Sequence, residues 1–281
     1  MTSPHTALPS DLDNALQRFA AEPQVLVCLD FDGCVAELVA DAGSARPVPA
    51  NAEAINALAP LEGITLAYIS GRPLETLREL SSPPEGTLLV GSHGAEKYLG
   101  PDSPGLQLSP KEEMARRSVI ETLEGVAAQH EGAWVEHKPA GAAIHVRRIE
   151  DRSRGEEVLN EARAALAVLD GAHIKEGKQI LESVVVLSTK GEAIEELREL
   201  LRPAAVLFAG DDVTDEHGFA VLREGDVGVK VGDGETKAAF RIPEPAALAN
   251  VLNRLVELRG AGSVGGETPP RSRSANADHH T

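Results

Sequence analysis

Cysteine is scarce: Cys28 and Cys34 are the only two in 281 residues. They lie in and just after one apolar run, so the chain has neither a disulfide framework nor a cysteine-rich metal site. A reducing compartment is the simplest setting. Basic residues are also short, with 27 Lys and Arg against 44 Asp and Glu and a formal net charge of −17. They form no run outside the tail around Arg271 and Arg273. Nucleic-acid affinity rests largely on clustered Lys and Arg, which argues against a nucleic-acid partner. No stretch of about 18 apolar residues exists, and Met1 to Ser10 lacks the basic start and apolar core of a signal peptide. No membrane partner is expected, and a cytoplasmic location is. No internal repeat is visible.

Apolar material is sufficient for a sizeable core: 42% of residues are hydrophobic, and the length fits one large domain or two smaller ones of roughly 100–200 residues. Residues 1–22 read as a loose arm and a short helix capped at Ser10-Asp11. Val25 to Leu29 is a continuous apolar run ending in Asp30, the pattern of a strand buried on both faces of a parallel sheet. A helix from Pro49 to about Ala59, the run Ile64–Ile69 and a helix opened by Pro73 continue the alternation over residues 23–108. This predicts an α/β fold, a doubly wound, mostly parallel sheet with its site at the carboxyl ends of the strands.

The rhythm changes over 109–187. A helix from about Lys111 to Gln129 precedes strands Trp134–His137 and Ala142–Arg147, and a helix from Arg152 to about Leu169 precedes strands His173–Glu176 and Ile180–Leu187. That order predicts an inserted α+β cap domain, αββαββ, beside the main sheet. Over 188–259 the α/β alternation resumes, with helices Glu192–Leu201, near Glu216–Leu222 and near Ala246–Leu258 and strands Ala205–Ala209 and Val227–Val231. Gly, Ser, Pro and Arg dominate 260–281, which reads as a disordered tail.

Four pieces at strand ends carry chemistry. Asp30-Phe31-Asp32-Gly33 follows the first strand, and side chains two apart in extended backbone point the same way. Both carboxylates then face one crevice, where they persist together if one is protonated or a divalent cation lies between them. That suits an acid/base and nucleophile pair, and oxygen-only ligands suit Mg²⁺; a polar turn closed by Gly33 is the plainer alternative. Gly210-Asp211-Asp212-Val213-Thr214-Asp215-Glu216 follows another short strand. Thr214 or Asp215 can cap the next helix, whereas Asp211 and Asp212 precede that cap, placed to complete a metal site with Asp30 and Asp32. Ser70-Gly71-Arg72 offers a hydroxyl and unpaired backbone N–H groups to phosphate oxygens, although Ser is also a routine helix cap. Lys190-Gly191 sets a cation at a helix N-terminus, against the macrodipole preference. An anionic neighbour would explain it; a solvated surface lysine is the alternative.

In this order, each at a strand end, the four pieces resemble those of the haloacid dehalogenase superfamily of phosphatases. Leu29 to Gly33, Ile69 to Arg72, Gly91-Ser92-His93-Gly94-Ala95-Glu96 and Gly210 to Glu216 resemble strings of one family within it, the trehalose-6-phosphate phosphatases. Val135-Glu136-His137-Lys138, His145-Val146-Arg147 and Gly177-Lys178-Gln179-Ile180-Leu181-Glu182 resemble that family's cap. The resemblance implies a Mg²⁺-dependent phosphatase for trehalose 6-phosphate, the last step of trehalose biosynthesis, with functional coupling to a trehalose-6-phosphate synthase. It implies Asp30 as nucleophile, Asp32 as general acid and base, and Lys190 as a catalytic cation. The metal ligands would be Asp30, Asp32 through its backbone carbonyl, Asp211 and Asp212. Ser70, Gly71, Arg72 and His93 would lie around the phosphate, and Glu136, Lys138, Lys178 and Glu182 would hydrogen-bond the sugar. Patterning alone reads those cap residues as the solvent face of strands. Arg147 and His93 stay open between packing and sugar contact, and Arg72 between the phosphate and a nearby carboxylate. Cys34 stands where the family usually has Thr; a thiol is the weaker hydrogen-bond partner, so turnover falls if that position touches phosphate.

Other readings fit parts of the pattern. The core motifs permit a phosphatase for another sugar phosphate equally well, and only the cap residues discriminate. A non-catalytic sugar-phosphate binder is suggested by Cys34. A response-regulator-like phospho-acceptor uses similar groups, but the inserted layer and the paired Asp30 and Asp32 argue against it. An acidic protein repels an anionic ester at long range, so Mg²⁺, Lys190 and helix N-termini must reverse the sign within the crevice.

Overall fold

The computed structural model describes residues 8–262. Helix α1 (Ser10–Ala21) leads to β1 (Val25–Leu29), α2 (Pro49–Leu58), β2 (Ile64–Ile69), α3 (Leu74–Ser81), β3 (Leu88–Gly91) and β4 (Glu96–Tyr98). The middle of the chain forms α4 (Pro110–Ala127), β5 (Trp134–Lys138), β6 (Gly141–His145), α5 (Arg152–Leu166), β7 (His173–Gly177) and β8 (Ile180–Val184). The last part forms α6 (Lys190–Leu201), β9 (Ala205–Gly210), α7 (Asp215–Phe219), β10 (Val227–Val231), β11 (Phe240–Ile242) and α8 (Leu248–Gly262).

Seven strands make one sheet in the order β11-β10-β9-β1-β2-β3-β4. All its pairings are parallel except β3 with β4. β1 is central and shows why a buried parallel strand is apolar throughout. Val25, Val27 and Leu29 enter a cluster with Leu12, Leu16 and Phe19 of α1, Ile55 and Leu58 of α2, and Val251 and Leu255 of α8. Leu26 and Cys28 enter the opposite cluster with Ile194 and Leu197 of α6 and Phe219 of α7. Helices therefore cover both faces, and each fully buried Leu, Val or Phe contributes about 1.5–3 kcal/mol.

The second sheet is antiparallel, β5-β6-β8-β7. Ala142, Ile144 and Leu181 pack on Val119 and Leu123 of α4 and Val158 and Ala162 of α5. Strand alternation then turns Glu136, Lys138, Glu182 and Lys175 to the other face. Capping boxes start α4 (Ser109 with Glu112) and α6 (Thr189 with Glu192), satisfying donors that a helix start leaves unpaired.

Several local expectations change; among them, the strand expected over Ile180–Leu187 ends at Val184 and that over Ala142–Arg147 ends at His145. Ser10 lies inside α1, with Pro9 in the cap position and no side-chain cap bond. α8 runs through Gly262, so 260–262 is helical and the reading of 260–281 as a tail fails there; the rest of that segment, and residues 1–7 of the arm, lie outside the described residues. β3, β4 and β11 are additional strands, four, three and three residues long, too short for a readable period. Among the described residues no helix is long and apolar enough to cross a membrane.

Candidate active site

The carboxyl ends of β1, β2 and β9 adjoin because these strands are parallel neighbours. The ladder continues one residue past β1 and β2: the Asp30 amide donates to the Ala209 carbonyl and the Ser70 amide to the Val90 carbonyl, each at 2.9 Å. Both functional side chains thus start from fixed backbone. Beyond Asp30 the chain turns at Gly33, whose φ is +78°. A Cβ there would lie 2.1 Å from Asp211 Oδ2, so glycine is required for both the conformation and the closeness of the two acidic loops.

At the centre, Lys190 Nζ lies 2.8 Å from Asp30 Oδ1 and 2.6 Å from Asp215 Oδ1, with all three side chains at most 5% exposed. The anionic neighbour expected for Lys190 is therefore a pair of carboxylates, and they outweigh burial to raise its pKa. Burial pushes Asp30 well above the usual carboxylate range, Lys190 opposes this, and Asp215 and Asp211 add to it. Burial and the charges of Asp215 and Asp212 bring Asp211 to about 6.

Asp215 does not cap α7. Its Oδ2 accepts the amides of Asp211 and Asp212 at 2.8 and 2.9 Å, bracketing their loop to Lys190. Asp212 takes the helix-start role instead: its Oδ1 accepts from the Thr214 amide, the Thr214 hydroxyl and the Asp215 amide. Burial raises its pKa, but Lys190 and these bonds leave it lowered overall. Lys230, buried on β10, donates to the Asp211 carbonyl.

Oxygens of Asp30, Asp211 and Asp215 lie within 4.8 Å of one another. Asp211 Oδ1 is buried without a hydrogen-bond partner. An all-oxygen set with mutually repelling carboxylates and one orphaned oxygen fits a hard divalent cation. Because both Asp215 oxygens are already engaged, Asp30 and Asp211 are the better-placed direct ligands.

Asp32 faces the same cleft, but its carboxylate is taken: Arg72 Nε and Nη2 donate to Oδ2 and Oδ1, each at 2.5 Å. Arg72 also donates to the Ala42 carbonyl at 2.8 Å. Between the two sequence options for Arg72, this conformation realises the carboxylate. The Ser70 hydroxyl accepts the Arg72 amide at 3.2 Å. His93, at φ +58°, lies over Gly71, where a Cβ would be 2.6 Å from the imidazole Cε1. Burial, then Lys175 and Lys190, lower the His93 pKa to about 4, so the ring is neutral at physiological pH. The Cys34 side chain is fully buried in the main apolar cluster and does not line the cleft. Burial, followed by Asp30, Asp215 and Asp211, pushes its thiol pKa well up, leaving no reactive thiolate.

The cleft, about 710 Å³, is lined by Asp30, Asp32, Ser70, Gly71, Arg72, His93, Lys190, Asp211 and Asp212, and from the second sheet by Glu136 and Lys138. Glu182 joins through Lys138, whose Nζ donates to it at 2.9 Å. Lys178 does not join. It occupies the β7–β8 turn and lines a separate cavity of about 180 Å³ with Arg152 and Gln179. Arg147 is exposed and also outside the cleft. The lysine that does share the cleft-facing side is Lys175, directly opposite Glu182 in register and near enough to act on His93. Sequence reasoning missed it, although a two-residue turn at Lys178-Gln179 pairs 175 with 182.

A doubly wound α/β sheet with an acidic cluster at its carboxyl ends and an inserted α+β layer over them defines the haloacid dehalogenase-like hydrolase fold. A family model described as trehalose-phosphatase matches residues 28–245, and the chain belongs to that family. A trehalose-phosphate phosphatase of Mycobacterium marinum is 30% identical over 269 residues, covering 88% of this chain and 66% of that protein. An uncharacterized glycosyl hydrolase of Mycobacterium tuberculosis is 32% identical over 272 residues, covering 88% of this chain but only 20% of its own length. The chain thus spans a fraction of these relatives. The trehalose-6-phosphate phosphatase of Aspergillus fumigatus superposes with a TM-score of 0.64 at 25% identity, covering 91% of this chain and 98% of that one.

Proposed function

We propose that the cleft hydrolyses trehalose 6-phosphate to trehalose and inorganic phosphate through an aspartyl-phosphate on Asp30, with Mg²⁺ as cofactor. One observation carries this reading: Asp30, Lys190 and Asp211, which suit phosphoryl transfer, share a single cleft with Glu136 and Lys138, which suit sugar hydroxyls. Hydroxyls both donate and accept, so mixed carboxylates and ammonium groups recognise them directionally.

Asp30 attacks phosphorus while the bond from phosphorus to the sugar oxygen breaks, and Asp32 delivers a proton to that oxygen. Asp32 then takes a proton from water, which attacks the same phosphorus, releases phosphate and restores Asp30. In the resting arrangement Arg72 spans both Asp32 oxygens. The incoming phosphoryl group, itself a bidentate acceptor, competes for Arg72 and frees Asp32 to face the sugar oxygen. Ser70 and Lys190 hold the phosphoryl oxygens, and Lys190 offsets charge on Asp30. Asp30, Asp211 and the Asp32 backbone carbonyl would hold Mg²⁺, with Asp212 through water. The bound ion would neutralise phosphoryl charge in a cleft otherwise dominated by carboxylates. Over the sugar lie Glu136, Lys138, Glu182 and Lys175. The reading implies functional coupling to a trehalose-6-phosphate synthase, whose product is this substrate, and a cytoplasmic setting.

The test is phosphate release with Mg²⁺ from trehalose 6-phosphate beside sucrose 6-phosphate and glucose 6-phosphate. A clear preference for the first is expected; equal rates on all three would replace this reading with a general sugar-phosphate phosphatase. Within that assay Lys175→Ala raises KM for trehalose 6-phosphate about tenfold, whereas Lys178→Ala leaves it unchanged. The reverse order would return Lys178 to the sugar site.

A further inference from the structure

The second sheet holds an arrangement that the proposed chemistry does not use. Its register sets Trp134 against His145 and Glu136 against Ala143. The Trp134 and His145 rings stack with centroids 3.9 Å apart and planes 2° from parallel. The Arg148 guanidinium lies 5.4 Å from the Trp134 ring centroid. From this stack His145 Nε2 lies 2.9 Å from Glu136 Oε2. A carboxylate only accepts, so Nε2 is the donor. His145 is 7% exposed and its Nδ1 is buried without a partner; the ring therefore has Glu136 as its polar tie and no competing one.

Ala143, directly opposite Glu136, presents only a methyl group and leaves the carboxylate room to rotate. Glu136 keeps 40% of its side chain exposed where it lines the cleft. The two carboxylates of this face are thus held differently. Glu182 is held by Lys138, which itself lines the cleft, and Glu136 is held from behind by a buried ring.

We propose that His145 is a positioning residue for sugar recognition: made rigid by Trp134, it fixes one oxygen of Glu136 and presents the other to a sugar hydroxyl. The inference rests on the disaccharide-phosphate reading above. Its physical content is preorganisation. A free glutamate loses rotamer freedom when it binds, whereas one already tied meets that cost on folding. The benefit falls on substrate binding and on substrates that carry the sugar.

Three substitutions and two substrates test this in the full chain with Mg²⁺. His145→Phe keeps a stacking ring without the donor, and His145→Gln keeps an amide donor without the ring. The expected result is a KM for trehalose 6-phosphate about tenfold higher in His145→Phe, kcat changed less than about twofold, and hydrolysis of p-nitrophenyl phosphate unaltered. His145→Gln recovers most of the KM. In a Glu136→Ala background, His145→Phe adds no further effect, because the residue being positioned is gone. The proposal is overturned if His145→Phe leaves KM unchanged, if it impairs both substrates equally, or if its effect persists without Glu136. Should His145→Phe fail to fold, His145→Gln decides: a KM raised beyond about threefold contradicts the donor role. A wild-type protein that cleaves p-nitrophenyl phosphate but prefers no sugar phosphate overturns the functional reading and this inference together. A wild type that prefers trehalose 6-phosphate, with an unresponsive His145, overturns the inference alone.

Discussion

Asp30→Asn lowers kcat for phosphate release by at least about 10⁴-fold while the protein stays folded. The amide is isosteric but cannot form the covalent phosphoryl ester, and removing a nucleophile costs on this scale. Folding is retained for a separate reason. Burial and the charges of Asp215 and Asp211 make ionised Asp30 unfavourable where it sits, so neutralising it relieves repulsion. Lys190 keeps Asp215 as a partner at 2.6 Å. Circular dichroism melts alongside turnover separate the two effects: a melting temperature equal to or above wild type with no turnover is the expected pair. Turnover within tenfold of wild type would remove Asp30 as nucleophile.

Lys190→Met has the opposite profile, losing stability as well as activity. The ammonium touches two carboxylates that are 5% and 0% exposed, and deleting one partner of a buried ionic group costs about 3–5 kcal/mol. Urea unfolding at neutral pH reads this deficit. The deficit shrinks as pH falls from 7 toward 4. Without Lys190, Asp30 and Asp215 have folded-state pKa values raised further above their unfolded ones, so the native state binds more protons and gains stability on acidification relative to wild type. A Lys190→Met protein as stable as wild type at pH 7 would mean that the Lys190 ammonium is not the stabilising partner of Asp30 and Asp215.

Strands of one sheet differ in how plainly the sequence shows them. Val25–Leu29 and Ile64–Ile69 are long, apolar and flanked by turn residues, so their ends, and Asp30 and Ser70 beyond them, were readable directly. β4 and β11 were not, because a three-residue edge strand such as Glu96–Tyr98 is defined by its partner and not by its own pattern. Asp215 is legible as acidic, and local spacing offers it, or Thr214, as a cap of the next helix. Its role depends on reaching back to two amides and to a lysine 25 positions earlier, a long-range fact that local spacing does not encode. Lys178 is singled out because it stands in a string that resembles the family's cap, and Lys175 stands in none. The strand register, with Gln179 at φ +61° in the Lys178-Gln179 turn, sets Lys175 opposite Glu182 and leaves Lys178 in the turn. His145 stands in a string that resembles the family's cap, yet its tie to Glu136 requires the pairing of β5 with β6.

The covalent intermediate is tested by mixing the Mg²⁺-supplemented protein with trehalose 6-phosphate, quenching in acid within the first turnover, and mapping phosphorylation by mass spectrometry. A phosphoryl group is expected on the peptide carrying Asp30, formed as trehalose is released and absent from Asp30→Asn. Steady release of trehalose with no phosphoryl group captured on Asp30, or with one captured on another residue, would contradict it.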